Sequence, residues 1–351
     1  MRAIINKPTL REMRVPIQWI GTGGKPGVRI ADGLAIIVGF YRQVMSGADP
    51  VETDYARHYA DLATASSARV DWAREARRWA DLCLDKGATA GEKSLPVKLN
   101  AAGVFELLDG HHRAAQCISN GQDAIDVAVK EISPAWKDLC DRLHRVLDRP
   151  YLYQPIEHPW FDDWGCERGN LQRYQVILDA VQEFRGDQRL ASNIHLDIGS
   201  NSGRLCREFN RTGWGSLGLD ANAEILGVAD YLNMVFGTDC SYFFSGLHEF
   251  LDRRGGIRHA VITCLSVCHH WLRAGMLDKY EEAVRLVADC SNLFLIDHAA
   301  DHDAQSRNDR VPLEAERFMT YLIDRIGCRF VRKLGVFEYR PLFIASKVLD
   351  G

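Results

Sequence analysis

Several short stretches of this 351-residue chain combine residue types and spacings that could do chemistry. In "HLDIGSNSGRLCREF", Asp197, Gly199, Asn201 and Gly203 fall at every second position. Glycines at the end of an apolar run let the backbone pass close to a ligand, and the helix that follows turns its N-terminal N–H groups toward it. A pyrophosphate would call for Gly-x-Gly-x-x-Gly, whereas here an acid precedes the first glycine and would repel it. Asp197 suits a cation such as an ammonium. Asp220 closes "GSLGLD" about 20 residues further on, where a carboxylate can take both hydroxyls of a ribose.

"TCLSVCHHWLRAG" sets His269 and His270 after another apolar run. A neutral imidazole is apt for general base work; the alternative is that one ring packs beside Trp271 and the other is solvated. "LIDHAADHDAQSRND" brings Asp297, His298, Asp301, His302 and Asp303 together, with His298 and His302 on one helix face. We rank a substrate lid first, a capped helix start second and a metal site third, and carry His298 as a third candidate catalytic histidine. In "ELLDGHHRAAQCI", Asp109, Gly110, His111, His112 and Arg113 stand where a strand hands over to a helix. Imidazoles, a guanidinium and free amide groups on one spot make a phosphate site; the alternative is a mere helix cap. Gly21 to Lys25 lack the spacing of a phosphate loop and read as a surface turn.

These residues need elements to position them. Helical spacing runs from Tyr55 to Lys86 as one or two helices. A hairpin follows, with strands at Val97 to Leu99 and Val104 to Leu108, then a helix from His112 to Ser119 closed by Asn120-Gly121 and an alternating strand, "AIDVAVKEI". Residues 1–133 form a first, α+β domain, and 134–164 a connecting helix and a Pro- and aromatic-rich linker. From 165 to 351, "IHLDIG", "GSLGLD", "CSYFFS", "AVITCLSV" and "NLFLID" alternate with helices, which means a mostly parallel α/β sheet. Strands at Phe330 to Tyr339 and Pro341 to Lys347 close it with an antiparallel edge.

Composition narrows the function. Residues 1–150 carry 21 Lys and Arg against 19 Asp and Glu, a net of +2, and the remainder 22 against 28, a net of −6. Neither half has the basic excess of a protein that grips a nucleic-acid backbone, so a small, polar or phosphorylated substrate is favoured. Ten cysteines without a CxxC pair suit reduced core thiols, not a zinc site or a disulfide framework. No apolar stretch approaches the roughly 20 residues of a membrane span and "MRAIINKPTL" lacks a signal-peptide core, so a cytoplasmic location is expected. Nothing in these features sets the oligomeric state.

On the Asp-x-Gly-x-Asn-x-Gly turn, its second-strand acid and the strand order, residues 165–347 resemble the class I S-adenosylmethionine-dependent methyltransferases. That resemblance implies a Rossmann-like sheet and S-adenosyl-L-methionine held by Asp197, Gly199, Ser200, Asn201, Gly203, Asp220, Ser245 and Leu265. It also places Arg173, which with Arg168 flanks "ERGNLQRY", on the cofactor carboxylate. The family's middle glycine is Asn201 here, a residue that tolerates positive φ. The loop bearing His269 and His270 would cross the transferred methyl; Cys268-His269-His270-Trp271 is similar to plant phenolic O-methyltransferases and "CLSV" to RNA methylphosphate capping enzymes. O-methyl transfer to a small polar or phosphorylated acceptor is expected.

Ser94 to Ile132 resembles the ParB/sulfiredoxin superfamily, with Ile17 to Ile20 as its first strand. This implies that Asp109, Gly110, His111, His112 and Arg113 bind ATP or another nucleotide, with magnesium. Such a domain could be a kinase acting before methylation, to which we lean, a nucleotide sensor regulating the methyltransferase, or an adaptor for a nucleic-acid-associated methyltransferase.

Overall fold

Strand patterning separates two sheets: half-buried alternation marks the first, and two central strands buried along their whole length mark the second. The computed structural model describes residues 10–21, 34–66, 71–84, 94–147, 152–185, 190, 192–253, 258–298, 311 and 314–350. Two units result. The first takes the described residues up to Asp141 together with Glu157–Asp162; the second takes Arg142–Ile156 and the described residues from Asp163 onward. Gly21 alone of the Gly21 to Lys25 turn, and neither His302 nor the acids Asp301 and Asp303, fall within the described residues.

The first unit is a mixed sheet of β1 (Glu12–Pro16), β2 (Ile20–Gly21), β3 (Leu95–Leu99), β4 (Phe105–Leu107) and β5 (Ala124–Ile132), in the order β1-β5-β3-β4-β2. β3 and β4 form the expected hairpin, its turn shaped by the Asn100 side chain, which accepts from the N–H groups of Ala102 and Val104 at 2.9 Å each. The expected first strand at Ile17 to Ile20 is displaced. β1 ends at Pro16, which has no N–H to donate to a ladder, and Ile17–Trp19 form a 3-10 turn. The helices are α1 (Ala35–Met45), α2 (Asp54–Ser66), α3 (Trp72–Leu84) and α4 (His111–Ser119). The stretch from Tyr55 thus resolves into two helices, and α1 was unforeseen. α5 (Pro134–Val146) carries the chain across the division of units.

The second unit is a doubly wound sheet of β6 (Ile194–Ile198), β7 (Gly215–Asp220), β8 (Cys240–Phe244), β9 (His259–Cys264), β10 (Ser291–Asp297), β11 (Phe330–Phe337) and β12 (Arg340–Ser346). Its order is β11-β12-β10-β9-β6-β7-β8. β6 to β10 are parallel, and β12 and β11 close one edge antiparallel, as expected. Every residue of β9 and β10 is buried, the pattern of strands covered on both faces. The helices are α6 (Gln172–Gln182), α7 (Arg204–Arg211), α8 (Ala223–Phe236), α9 (Leu247–Arg253), α10 (His269–Arg273), α11 (Leu277–Asp289) and α12 (Ala315–Tyr321). Ile177, Leu205, Phe209, Val261 and Leu295 build the core on one face of the sheet; Leu196, Ile262, Val284, Phe294 and Phe318 build it on the other.

Strand succession runs outward from β6 to β8, then restarts on β6's other side with β9. Ligands of open α/β sheets bind beyond the carboxyl ends of the strands at such a reversal. Among the described residues, no helix is long and apolar enough to cross a membrane.

Candidate functional site

The turn after β6 is preformed. Gly199 (φ +75°), Asn201 (φ +50°) and Gly203 (φ +75°) are all left-handed, so Asn201 adopts the positive φ expected of it. Gly199 and Ser200 donate their N–H groups to the Leu219 carbonyl at 2.7 and 3.0 Å, and Asn201 donates to Asp220 Oδ2 at 3.0 Å. A side chain on Gly199 would overlap Val267, and one on Gly203 would overlap the Tyr242 ring. Ser200 is fully buried beneath the turn. These amides are tied to the protein, so the turn offers shape and charge rather than a nest of free N–H groups.

Asp197 lies under the turn, buried, with Oδ1 accepting from Thr263 Oγ1 at 2.6 Å. Burial pushes its carboxyl up to about 7, helped by Asp220 and opposed by the Thr263 bond and Arg173. A carboxyl so placed favours a cationic partner that would restore its charged form. Asp220 takes one backbone N–H on each oxygen, from Asn201 and from Asn222 at 2.9 Å, and burial raises its pKa. The Ala221 N–H also faces the carboxylate, which with four lone pairs and three backbone donors still has room for a ligand hydroxyl.

Beyond these carboxyl ends lies a cleft of about 460 Å³. Gly199, Asn201, Asp220, Ser245, Leu265 and His270 line it, with Tyr153, Ala221, Gly246, Leu247, Ser266, Val267 and Trp271. A smaller recess shares Tyr153, Gly199, Leu265 and Ser266 with it and is also bordered by Asp197, Arg168 and Arg173. Arg173 reaches this recess, but its guanidinium donates to Asp297 Oδ2 at 2.8 Å. Asp297 also accepts from Ser266 N at 2.6 Å and from Ser266 Oγ at 2.9 Å. Burial pushes Asp297 up, yet Arg173, the two Ser266 bonds and Arg340 outweigh it and hold its carboxyl below the usual range. Asp297 therefore fixes the loop after β9.

The three candidate histidines part company. His270 is exposed and lines the cleft beside Trp271. His269, next to it with ring centres 4.1 Å apart, is buried, and its Nδ1 faces Arg340. His298 is 1% exposed, stacked on Phe318 at 3.9 Å, and lines neither the cleft nor the recess. It is a packing residue, because its ring points into the core between sheet and α12.

In the first unit, Gly110 caps α4 with φ +83°, Asp109 Oδ1 accepts from the Gly110 N–H at 2.6 Å, and the Arg113 guanidinium folds back over Gly110. His111 and Arg113 are half-buried. His112 is turned inward. Its ring stacks on Trp79 at 3.8 Å, Nε2 meets Tyr55 Oη at 2.9 Å and Nδ1 meets Tyr41 Oη at 3.3 Å. Burial, and then His111, lower its pKa to about 4. His112 thus packs as a neutral ring against α1, α2 and α3, apart from the half-buried His111 and Arg113.

Tyr153, Thr263 and Arg340 belong to the site without having been foreseen. Thr263 was the one with a signal, a hydroxyl within a buried strand; the others are brought in by the tertiary fold.

No family model matches the chain, and no curated protein matches it. Solved structures similar to it include methyltransferases. The bifunctional kinase-methyltransferase WbdD is 20% identical, with a TM-score of 0.49 over 59% of this chain and 46% of that one. Magnesium protoporphyrin IX methyltransferase from Synechocystis PCC 6803 with bound S-adenosylmethionine is 16% identical, with a TM-score of 0.37 over 53% of this chain and 88% of that one. The methyltransferase domain of bacterial CtHen1 is 17% identical, with a TM-score of 0.38 over 50% and 98%. The matched region spans about half the length of WbdD.

Proposed function

We propose that the second unit is an S-adenosylmethionine-dependent methyltransferase acting on an oxygen of a small polar or phosphorylated acceptor. One observation carries this reading. Asp197 is a buried carboxyl of raised pKa beneath the turn and borders the recess, while Asp220 lines the cleft, and recess and cleft share Tyr153, Gly199, Leu265 and Ser266. Those groups suit an ammonium at one end and a ribose at the other, and the cleft volume falls within the range of small-molecule sites.

The cofactor would supply a methyl group activated by its sulfonium. The chain's own work is to orient and to move one proton. His270, exposed on the cleft wall, takes the proton of the acceptor hydroxyl, while Asp297 and Ser266 hold the loop that carries it. His269 is the packed support behind it. Incubating the chain with methyl-labelled cofactor and small-molecule extracts tests this: label should move into an acceptor, and His270→Ala should slow the transfer. Label that stays on the cofactor in every extract, or transfer that His270→Ala leaves within a few-fold, counts against it.

For the first unit we propose a ParB/sulfiredoxin-like nucleotide-phosphate site at Gly110, His111 and Arg113. The engagement of both His112 nitrogens by tyrosines favours a sensor over a kinase, because it removes that imidazole as an acceptor's base. Nucleotide titration into the wild type and Arg113→Ala tests it, with an expected loss of about 1.5 to 3 kcal/mol for a charge-assisted bond. Equal binding by both proteins, or none by either, would leave Gly110 to Arg113 as a helix cap.

A further inference from the structure

The buried side of the Asp197 turn holds more polar chemistry than ligand binding alone uses. His195 and Asp197 share one face of β6, with Ser216 beside them on β7 and Thr263 on β9. His195 is fully buried, its Nδ1 is 2.8 Å from Ser216 Oγ and its Nε2 is 2.9 Å from Thr263 Oγ1. Thr263 Oγ1 in turn lies 2.6 Å from Asp197 Oδ1. Cys206 closes the circuit, with Sγ 4.0 Å from Asp197 Oδ2 and an interaction with Ser216.

Each hydroxyl in such a chain gives one proton and can accept another, and a neutral imidazole gives from one nitrogen and accepts at the other. The end of the chain therefore sets its direction. An ionised Asp197 only accepts: Thr263 donates to it, His195 donates from Nε2 to Thr263, and Ser216 donates to Nδ1. A protonated Asp197 that donates to Thr263 reverses every bond. Thr263 then donates to Nε2, His195 carries its proton on Nδ1 and gives it to Ser216 Oγ, and the Ser216 hydroxyl turns to Cys206 Sγ. The two states differ by one proton, on Asp197, and the imidazole stays neutral in both.

We propose that Ser216, His195 and Thr263 are positioning residues for a cationic ligand of Asp197, and that occupation of the site is written into the tautomer of His195. The ring is Nδ1–H when Asp197 is protonated, and Nε2–H when a cation holds it ionised. The ligand's identity rests on the methyltransferase reading above; the relay itself does not. Burial, and then His259, keep the pKa of His195 far below its usual value, so the ring does not become cationic. Around Asp197 stand Thr263 from β9, Cys206 from α7, Asp220 from β7 and Arg173 from α6, and burial leaves its midpoint at about 7, so both states are reachable near neutral pH.

Nitrogen-15 NMR of the full chain with labelled histidine reads the tautomer directly, the His195 signals being assigned by their loss in His195→Gln. Without ligand, the ring should pass from Nδ1–H to Nε2–H as pH rises through about 7. Added S-adenosylmethionine at pH below that midpoint should drive it to Nε2–H. Thr263→Val removes a bond to the charged carboxylate and should move the midpoint of cofactor affinity up by about one unit, a tenfold loss below it that high pH restores. Ser216→Ala removes the acceptor for Nδ1–H and should move it down, because an orphaned buried N–H costs more than an idle acceptor. A single tautomer across the whole pH range, or midpoints that neither variant moves, overturns the relay. A tautomer that follows pH in a protein that binds no S-adenosylmethionine upholds the relay and overturns the cofactor reading.

Discussion

The Arg340 guanidinium lies 3.2 Å from Nδ1 of the buried His269. A guanidinium has no acceptor, so Nδ1 must be the nitrogen without a proton. His269 is thereby held in one tautomer and does not line the cleft, while its neighbour His270 does. His270→Ala should lower turnover by about 10² to 10⁴ while leaving cofactor affinity within a few-fold. Arg340→Ala should act less, through the setting of the loop. Turnover and cofactor titration on both variants check this; the reverse ranking would transfer the base to His269.

Cofactor affinity should depend on pH in one direction. A cation prefers the ionised Asp197, whose carboxyl is raised to about 7, so affinity should climb up to tenfold per unit as pH rises toward 7 and then level off. Binding constants measured at several pH values, with the ligand's own ammonium protonated throughout, show the slope. An affinity that falls over that range contradicts the assignment.

The same carboxyl has a cost in stability. Its folded pKa lies above the ordinary 3.8, so its contribution is fully present below 3.8 and is lost as pH rises through about 7. Over that span the loss is of order 4 kcal/mol. Asp197→Asn should therefore be more stable than the wild type at pH 8, with little difference near pH 4, although it loses the ligand. Denaturant unfolding of the two proteins at both pH values gives the answer, and an Asn variant less stable at pH 8 would go against it.

Much of this site was legible because its backbone is local. Asp197, Gly199, Asn201 and Gly203 lie within one turn, and Asp220 ends the next strand, so sequence spacing alone brings them together. Pairings across the fold left no such mark. Arg173 and Asp297 stand 124 residues apart and Arg340 and His269 71 apart, and no periodicity links them. In the first unit, His111 and His112 read alike in a line of polar residues. What separates them is their position around α4, which turns His112 toward Trp79, Tyr41 and Tyr55, residues supplied by distant helices.

Gly199→Ala isolates the turn. The substitution forces a side chain into φ +75° and against Val267, which should cost roughly 1 to 3 kcal/mol of stability. Val267→Ala in the same chain should return part of that, since it relieves the overlap but not the backbone strain. Thermal unfolding of the single and double variants separates the two; full recovery in the double variant would mean that the left-handed conformation carries no strain.

Calorimetric titration of S-adenosylmethionine into the wild type and Asp197→Ala, with NADH titrated in parallel, tests the central claim most directly. Saturable one-site binding of S-adenosylmethionine to the wild type is expected, with loss of that binding in Asp197→Ala and no binding of NADH by either. A folded wild type that fails to bind S-adenosylmethionine, or an Asp197→Ala protein that binds it equally well, would contradict it.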